Sequence, residues 1–186
     1  MRNIVVFSVV STLFGALINN SLHAQKSTPN ALPGIDEIYV EDQQARQGRV
    51  PGAPAPTYKT DEERESATRK LLDDGKLQSG RELREAAVIF QHSHQPDDYL
   101  LAHTLAIIAI SKGDTDSIWI AAASLDRYLM AIGKPQVYGT QFMTPPAQHA
   151  TQEPYNKSLI SDDLRRALHV PSQADQEIRR KQFDTP

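Results

Sequence analysis

His92 is the first side chain to consider as a chemical group, because an imidazole titrates near neutral pH and can take or give a proton there. It stands in the run His92-Ser93-His94-Gln95-Pro96-Asp97-Asp98. Asp126 is the carboxylate that could orient it or act as the paired acid. On a helix, Asp126 shares a side with Trp119, Ala123 and Met130, so neighbouring chain is expected to cover it. A covered carboxylate needs donors or shifts its pKa. It is then either a structural acid that holds an ion pair or caps a loop, or a working acid, base or orienting group. Arg127, which follows it, projects farther from the apolar stripe, and its simplest role is a surface salt bridge.

The loop Lys134-Pro135-Gln136-Val137-Tyr138-Gly139-Thr140-Gln141 brings two kinds of chemistry together. Pro135 stiffens it and Gly139 permits a tight turn. Gln136, Tyr138, Thr140 and Gln141 supply donors and acceptors without a charge. Such a loop suits holding a polar ligand by hydrogen bonds, and equally suits pinning itself to a helical body.

Other chemistries are poorly served. His92 and His94 diverge if both lie on a helix, so a metal there requires the helix to end by His92; no metal and no cofactor are expected. His103 falls inside an apolar run and reads as a hydrogen-bonded core histidine, while His149 and His169 look peripheral. There is no Gly-x-Ser-x-Gly elbow, His-Glu-x-x-His pair or phosphate-binding glycine loop, and no cysteine. Familiar serine, zinc, nucleotide and thiol chemistries are thereby disfavoured.

The elements that must position these groups read as helices. A short one is expected over 35–47, where Ile35, Ile38 and Tyr39 share a face. Thr60 or Asp61 caps the next, which ends near Gly75. Ser79 begins another that runs to about Ser93. Pro96 sits in the first turn of a fourth and Gly113 is its natural stop. Asp114 or Asp116 opens a fifth that ends at Gly133, with Ile118, Ala121, Ala122, Leu125, Leu129 and Ile132 as its core stripe. The helix from Pro96 is apolar on nearly every side and is expected at the centre, wrapped by the others. Two more helices are expected over 161–169 and 172–183. No stretch alternates as a strand does. The class is all-α: a small bundle of about five to seven helices with helical-hairpin character.

The beginning of the chain differs in kind. Arg2, an apolar run from Ile4 to Ile18 and the ending Leu22-His23-Ala24 have the layout of a signal peptide over residues 1–24, cleaved after Ala24. As a helix the run reaches about 22 Å, short of the ~30 Å hydrocarbon core, so no stable membrane anchor is expected. Residues 25–58 are proline-rich and expected to be mostly flexible apart from the short helix, with a helical domain over 59–186. The destination is then the periplasm or the medium. The formal net charge of −3 becomes one unit more negative once Arg2 leaves with the leader, which does not favour nucleic acid as a partner.

With these residues in view, the chain resembles a bacterial family of uncharacterised helical domains, a domain of unknown function. That family's pattern has an Asp-Gln-x-x-Arg opening, a Gln-His pair, an Asp-Arg pair and a Gly-Lys-Pro-Gln-x-Tyr-Gly-Thr-Gln loop. The counterparts are Asp42, Gln43 and Arg46; Gln91 and His92; Asp126 and Arg127; and Gly133 through Gln141. The Ser161-to-Arg166 stretch followed by Val170-Pro171 is similar to its ending. The chain departs from the pattern between Arg46 and Thr60, which is proline-rich where the family continues as helix. The resemblance implies a set of residues, gathered in one polar pocket, and no reaction.

The expectation is therefore an exported helical domain that binds a polar small molecule, peptide or glycan around His92, Asp126 and the 133–141 loop. Asp42, Gln43, Arg46, Gln91, Arg127, Gln136, Tyr138, Thr140 and Gln141 are its candidate ligand contacts. A hydrolase or transferase with His92 as general base and Asp126 as its orienter or paired acid is the alternative. A scaffold in which the same residues only lock the loop is the third.

Overall fold

The computed structural model describes residues 33–48, 55–146 and 148–184. Seven helices and no strand occur among them, so the fold is all-α. The expected leader over 1–24 and the chain from Gln25 to Leu32 lie outside the described residues, as do 49–54. No described helix is long and apolar enough to cross a membrane.

Local chemistry sets most of the boundaries. Helix α1, Ile35–Gln47, opens where the Glu37 carboxylate accepts the Gly34 N–H at 2.8 Å. Helices α2, Asp61–Asp73, and α3, Gly80–Phe90, each open on a reciprocal capping box, Thr60 with Glu63 and Ser79 with Glu82. Each cap satisfies N–H groups that the first turn leaves orphaned, worth about 1 kcal/mol. Pro96 occupies the start of α4, Pro96–Ser111, where its missing N–H costs nothing. Helix α5, Ser117–Ala131, is followed by Gly133. Ser161 and Ser172 cap the short α6, Asp162–Ala167, and α7, Gln173–Gln182.

The core is built by α1, α3, α4 and α5. Ile35 and Ile38 of α1 pack with Leu83, Ala86, Ala87 and Phe90 of α3, and with Ala102, Leu105 and Ala106 of α4. Helix α1 thus belongs to the packed body, which begins before residue 59.

Helix α4 packs most extensively on α3 and α5 but is not wrapped all round. Leu100, Ile107 and Ile108 face outward, between 39% and 48% exposed. Helix α5 is also turned from its expected stripe. Ala121 and Ala122 are buried as expected, but Ile118, Leu125 and Leu129 are only partly covered and Ile132 is exposed. Ser117, Ile120, Ala123, Ser124 and Asp126 are buried instead. Two contacts account for the turn. The small residues let α4 approach closely, with His103 Nδ1 donating to the Ala121 carbonyl at 2.8 Å. The chain after α5 folds back over Ala123 and Asp126, and the Gln141 amide reaches the Ala123 carbonyl.

Helix α3 ends at Phe90 rather than near Ser93. Gln91, His92 and Ser93 form a turn, with His92 N–H on the Ile89 carbonyl and Ser93 N–H on that of Phe90. That early end turns His92 inward and buries it.

Candidate functional site

Asp42, on the inner side of α1, is buried and collects donors from three directions. Arg46, one turn on, reaches Oδ1 with Nη2 at 2.9 Å. The neighbouring Gln43 amide reaches Oδ2 at 2.9 Å. His92 meets Oδ1 through Nδ1 at 3.2 Å, across from the end of α3. Arg64 of α2 completes the set: its Nε lies 3.7 Å from Oδ1, its Nη1 donates to the Tyr58 carbonyl and its Nη2 to Asp61. Asp61 also takes Arg46 Nη2 at 2.8 Å. Two carboxylates and two guanidiniums are thereby interlocked between α1 and α2.

Burial pushes the Asp42 carboxyl up, but the bonds and charges of His92 and Arg46 outweigh it and hold the group below the ordinary aspartate range. Asp42 is thus a carboxylate at neutral pH and can only accept. His92 Nδ1 must then carry the proton. Burial lowers the His92 pKa, Asp42 pulls it back up, and Arg46 and Arg127 oppose the charge again; the net shift is downward. At neutral pH the ring is uncharged, and its free lone pair is on Nε2.

Arg127 of α5 lies within electrostatic reach of this cluster. Its charge acts on His92, and Arg46 acts on it. Its Nε is buried without a hydrogen-bond partner, and the guanidinium makes no ion pair with any described residue. The surface salt bridge that its place on α5 implies is absent among the described residues. Burial brings its pKa down to about 10, which still leaves it charged at neutral pH.

Asp126, although next in sequence, belongs to a different arrangement. Its Oδ1 accepts the N–H groups of Val137 and Tyr138, at 2.7 and 3.0 Å. Its Oδ2 accepts the N–H and hydroxyl of Thr140, at 2.9 and 2.8 Å. Burial pushes this carboxyl up and those four bonds pull it down, with burial the larger effect. Gln136, fully buried, donates to the carbonyls of Gln141 and Gln152 and accepts the Gln141 N–H. Gly139 has φ +74°, and a Cβ there would come within 2.3 Å of Gln176 and 2.6 Å of the Tyr155 ring. The buried Arg165 then ties Tyr155 to the carbonyls of Lys157 and Ile160. The 133–141 loop is thus pinned from both sides, and its polar atoms are largely spent on the fold.

The candidate residues accordingly fall into two groups. Asp42, Gln43, Arg46 and His92 come together, with the Arg127 charge within reach of them; Gln91, the cap of α3, is buried beside His92 in sequence. Asp126, Gln136, Thr140 and Gln141 form the loop lock. The Tyr138 backbone joins that lock, its N–H on Asp126 and its carbonyl accepting from Tyr155 and Gln176. The carboxylate that orients His92 is Asp42; Asp126 makes no hydrogen bond to it. Consecutive residues on a helix diverge by about 100°, which is why Asp126 and Arg127 serve different neighbourhoods.

Several contributors carry little signal in the chain. Arg64 is one, although it shares the inner face of α2 with Thr68, four residues on. Glu65 and Glu85 are others. Burial, with Asp98 nearby, pushes Glu65 up to about 7. Burial also pushes Glu85 up to about 7, against the pull of Arg81, and its Oε2 is buried without a partner.

No protein-family model, curated protein or solved structure matches the chain.

Proposed function

We propose that this is an exported bacterial protein whose helical body binds a polar ligand or partner, a small molecule, peptide or glycan, at the cluster of Asp42, Arg46, His92 and Arg127. The observation that carries this reading is the convergence of charged groups from α1, α2, the end of α3 and α5, with Arg127 left over, its Nε buried and unpartnered. A purely structural network would be expected to close on itself, because an unpaired buried charge is costly. The layout of residues 1–24 supports export, to the periplasm or the medium. Asp126 and the 133–141 loop serve this reading as the frame that fixes α5, and with it Arg127.

The test is a thermal-shift screen of the protein against nucleotides, amino sugars and short peptides, repeated with His92→Ala and Asp126→Ala. A ligand that stabilises the wild type should lose its effect in His92→Ala, whereas Asp126→Ala should lower the baseline melting temperature. A shift that survives intact in His92→Ala argues against this cluster as the site. No shift with any class favours the scaffold.

A second reading, a hydrolase or transferase acting on a polar substrate, draws support from one feature. A neutral imidazole held through Nδ1 by a carboxylate presents Nε2 as a general base. In that reading Asp42 replaces Asp126 as the orienter. Turnover of a chromogenic ester or phosphate that persists unchanged in His92→Ala would exclude it.

A further inference from the structure

Three polar atoms are buried and unpartnered among the described residues: Arg64 Nε, Glu85 Oε2 and Arg127 Nε. Two have a local explanation. Arg64 Nε lies 3.7 Å from Asp42, inside an ion pair, and the opposite oxygen of Glu85 is held by Arg81 at 3.1 Å. Arg127 has no such relief. The titratable groups that act most on its charge are Tyr99 and Arg46. The Tyr99 phenol is itself pushed above its ordinary pKa, so it supplies no negative charge at neutral pH. Arg46 is a cation. Asp126 has both oxygens engaged by the loop. The guanidinium therefore has no carboxylate paired with it among the described residues, while a second guanidinium and an imidazole are close enough to feel its charge.

From this geometry we infer that Arg127 anchors an oxyanion, a carboxylate or phosphate group of the bound ligand, with Arg46 and His92 beside it. The inference rests on the binding reading above and names the chemical class that the site takes. A guanidinium fork matches a carboxylate or a phosphate through two parallel N–H bonds, which is the pairing its planar donors favour. Arg127 is not sealed: the residue keeps partial exposure, and its Nη groups, unlike Nε, are not among the buried unpartnered atoms. Arg46 spends Nε and Nη2 on Asp42 and Asp61, which holds it in place as a second positive charge. His92, held by Asp42, can take a proton on Nε2 and donate it to the same anion.

The experiment is thermal melting of the full chain at constant ionic strength with inorganic phosphate, succinate, N-acetylglucosamine or glycinamide, in the wild type, Arg127→Met and Arg127→Lys. Phosphate or succinate should raise the wild-type melting temperature by about 5 °C at saturating concentration. The two neutral compounds should add nothing to that. Arg127→Met should melt higher than the wild type without ligand, because the unpaired charge is gone, and should not respond to either anion. Arg127→Lys keeps the charge without the fork and should bind the anion at least tenfold more weakly, as read by calorimetry, which serves even if the methionine variant does not fold. A response to phosphate alone assigns a phosphate, to succinate alone a carboxylate. An unchanged anion response in both variants overturns the inference. A shift with N-acetylglucosamine or glycinamide and none with the anions overturns it while the binding reading stands. No response to any of the four overturns both.

Discussion

Asp42 on α1 and His92 in the turn after α3 meet through Oδ1 and Nδ1 at 3.2 Å, which leaves Nε2 as the ring nitrogen open to chemistry. Burial lowers the proton affinity of the ring, and this bond is the main effect that opposes it.

Replacing Asp42 by Asn should lower the His92 pKa further, since the carboxylate is the group that pulls it up. It should also destabilise the fold by about 3 kcal/mol, because Arg46 and Arg64 lose the carboxylate they share. Imidazole resonances followed by NMR against pH, with denaturant melts alongside, check both. A rise in the His92 pKa would contradict the assigned arrangement.

Asp126→Ala should cost about 3 kcal/mol or more, as three backbone N–H groups and a hydroxyl lose their acceptor at once. The His92 titration should not move. If it does, the loop lock and the Asp42 cluster are one site after all.

Gly139→Ala should destabilise by about 2 kcal/mol, lowering the melting temperature by several degrees. The left-handed backbone and the collision with Gln176 and Tyr155 both oppose a side chain there. Gly133→Ala has a similar φ of +71° but no neighbour within 4 Å, and should cost about 1 kcal/mol. Equal losses at the two glycines would mean that the Gly139 contact is unimportant.

Glu85 gives a pH dependence whose sign is fixed. Its folded pKa of about 7 exceeds the ordinary 4.5, so between those values the folded state binds a proton that the unfolded chain does not. Its contribution therefore destabilises at pH 8 and is relieved as pH falls through 7 toward 4.5. Glu65 adds in the same direction. His92, with a lowered pKa, opposes them below about 6.5, and Asp42 and Asp61 act only below about 4. Glu85→Gln separates this group from the rest. It should stabilise by up to about 3 kcal/mol at pH 8 and by under about 1 kcal/mol at pH 5, the loss of the exposed Arg81 partner mattering little. Urea melts of both proteins at the two pH values decide it; a gain of equal size at pH 5 rules out the titration.

The chain by itself determined the helices and where they begin. Thr60 with Glu63, Ser79 with Glu82, Pro96 and Gly113 act within a turn or two of themselves, so their effect survives whatever the rest of the chain does. The inward face of α1 was legible for the same reason, since Ile35, Ile38 and Tyr39 repeat at helical spacing. Only the tertiary structure decided which polar groups meet. His92 turns inward because α3 stops at Phe90, and it finds Asp42, fifty residues earlier, rather than Asp126. Helix α5 turns toward its serines and alanines, where α4 approaches closely and the folded-back loop covers Ala123 and Asp126. That turn puts Asp126 on the loop and Arg127 at the cluster. Hydrophobic period sets a helix's faces, but partners across helices depend on rotation and crossing, which short-range spacing does not encode.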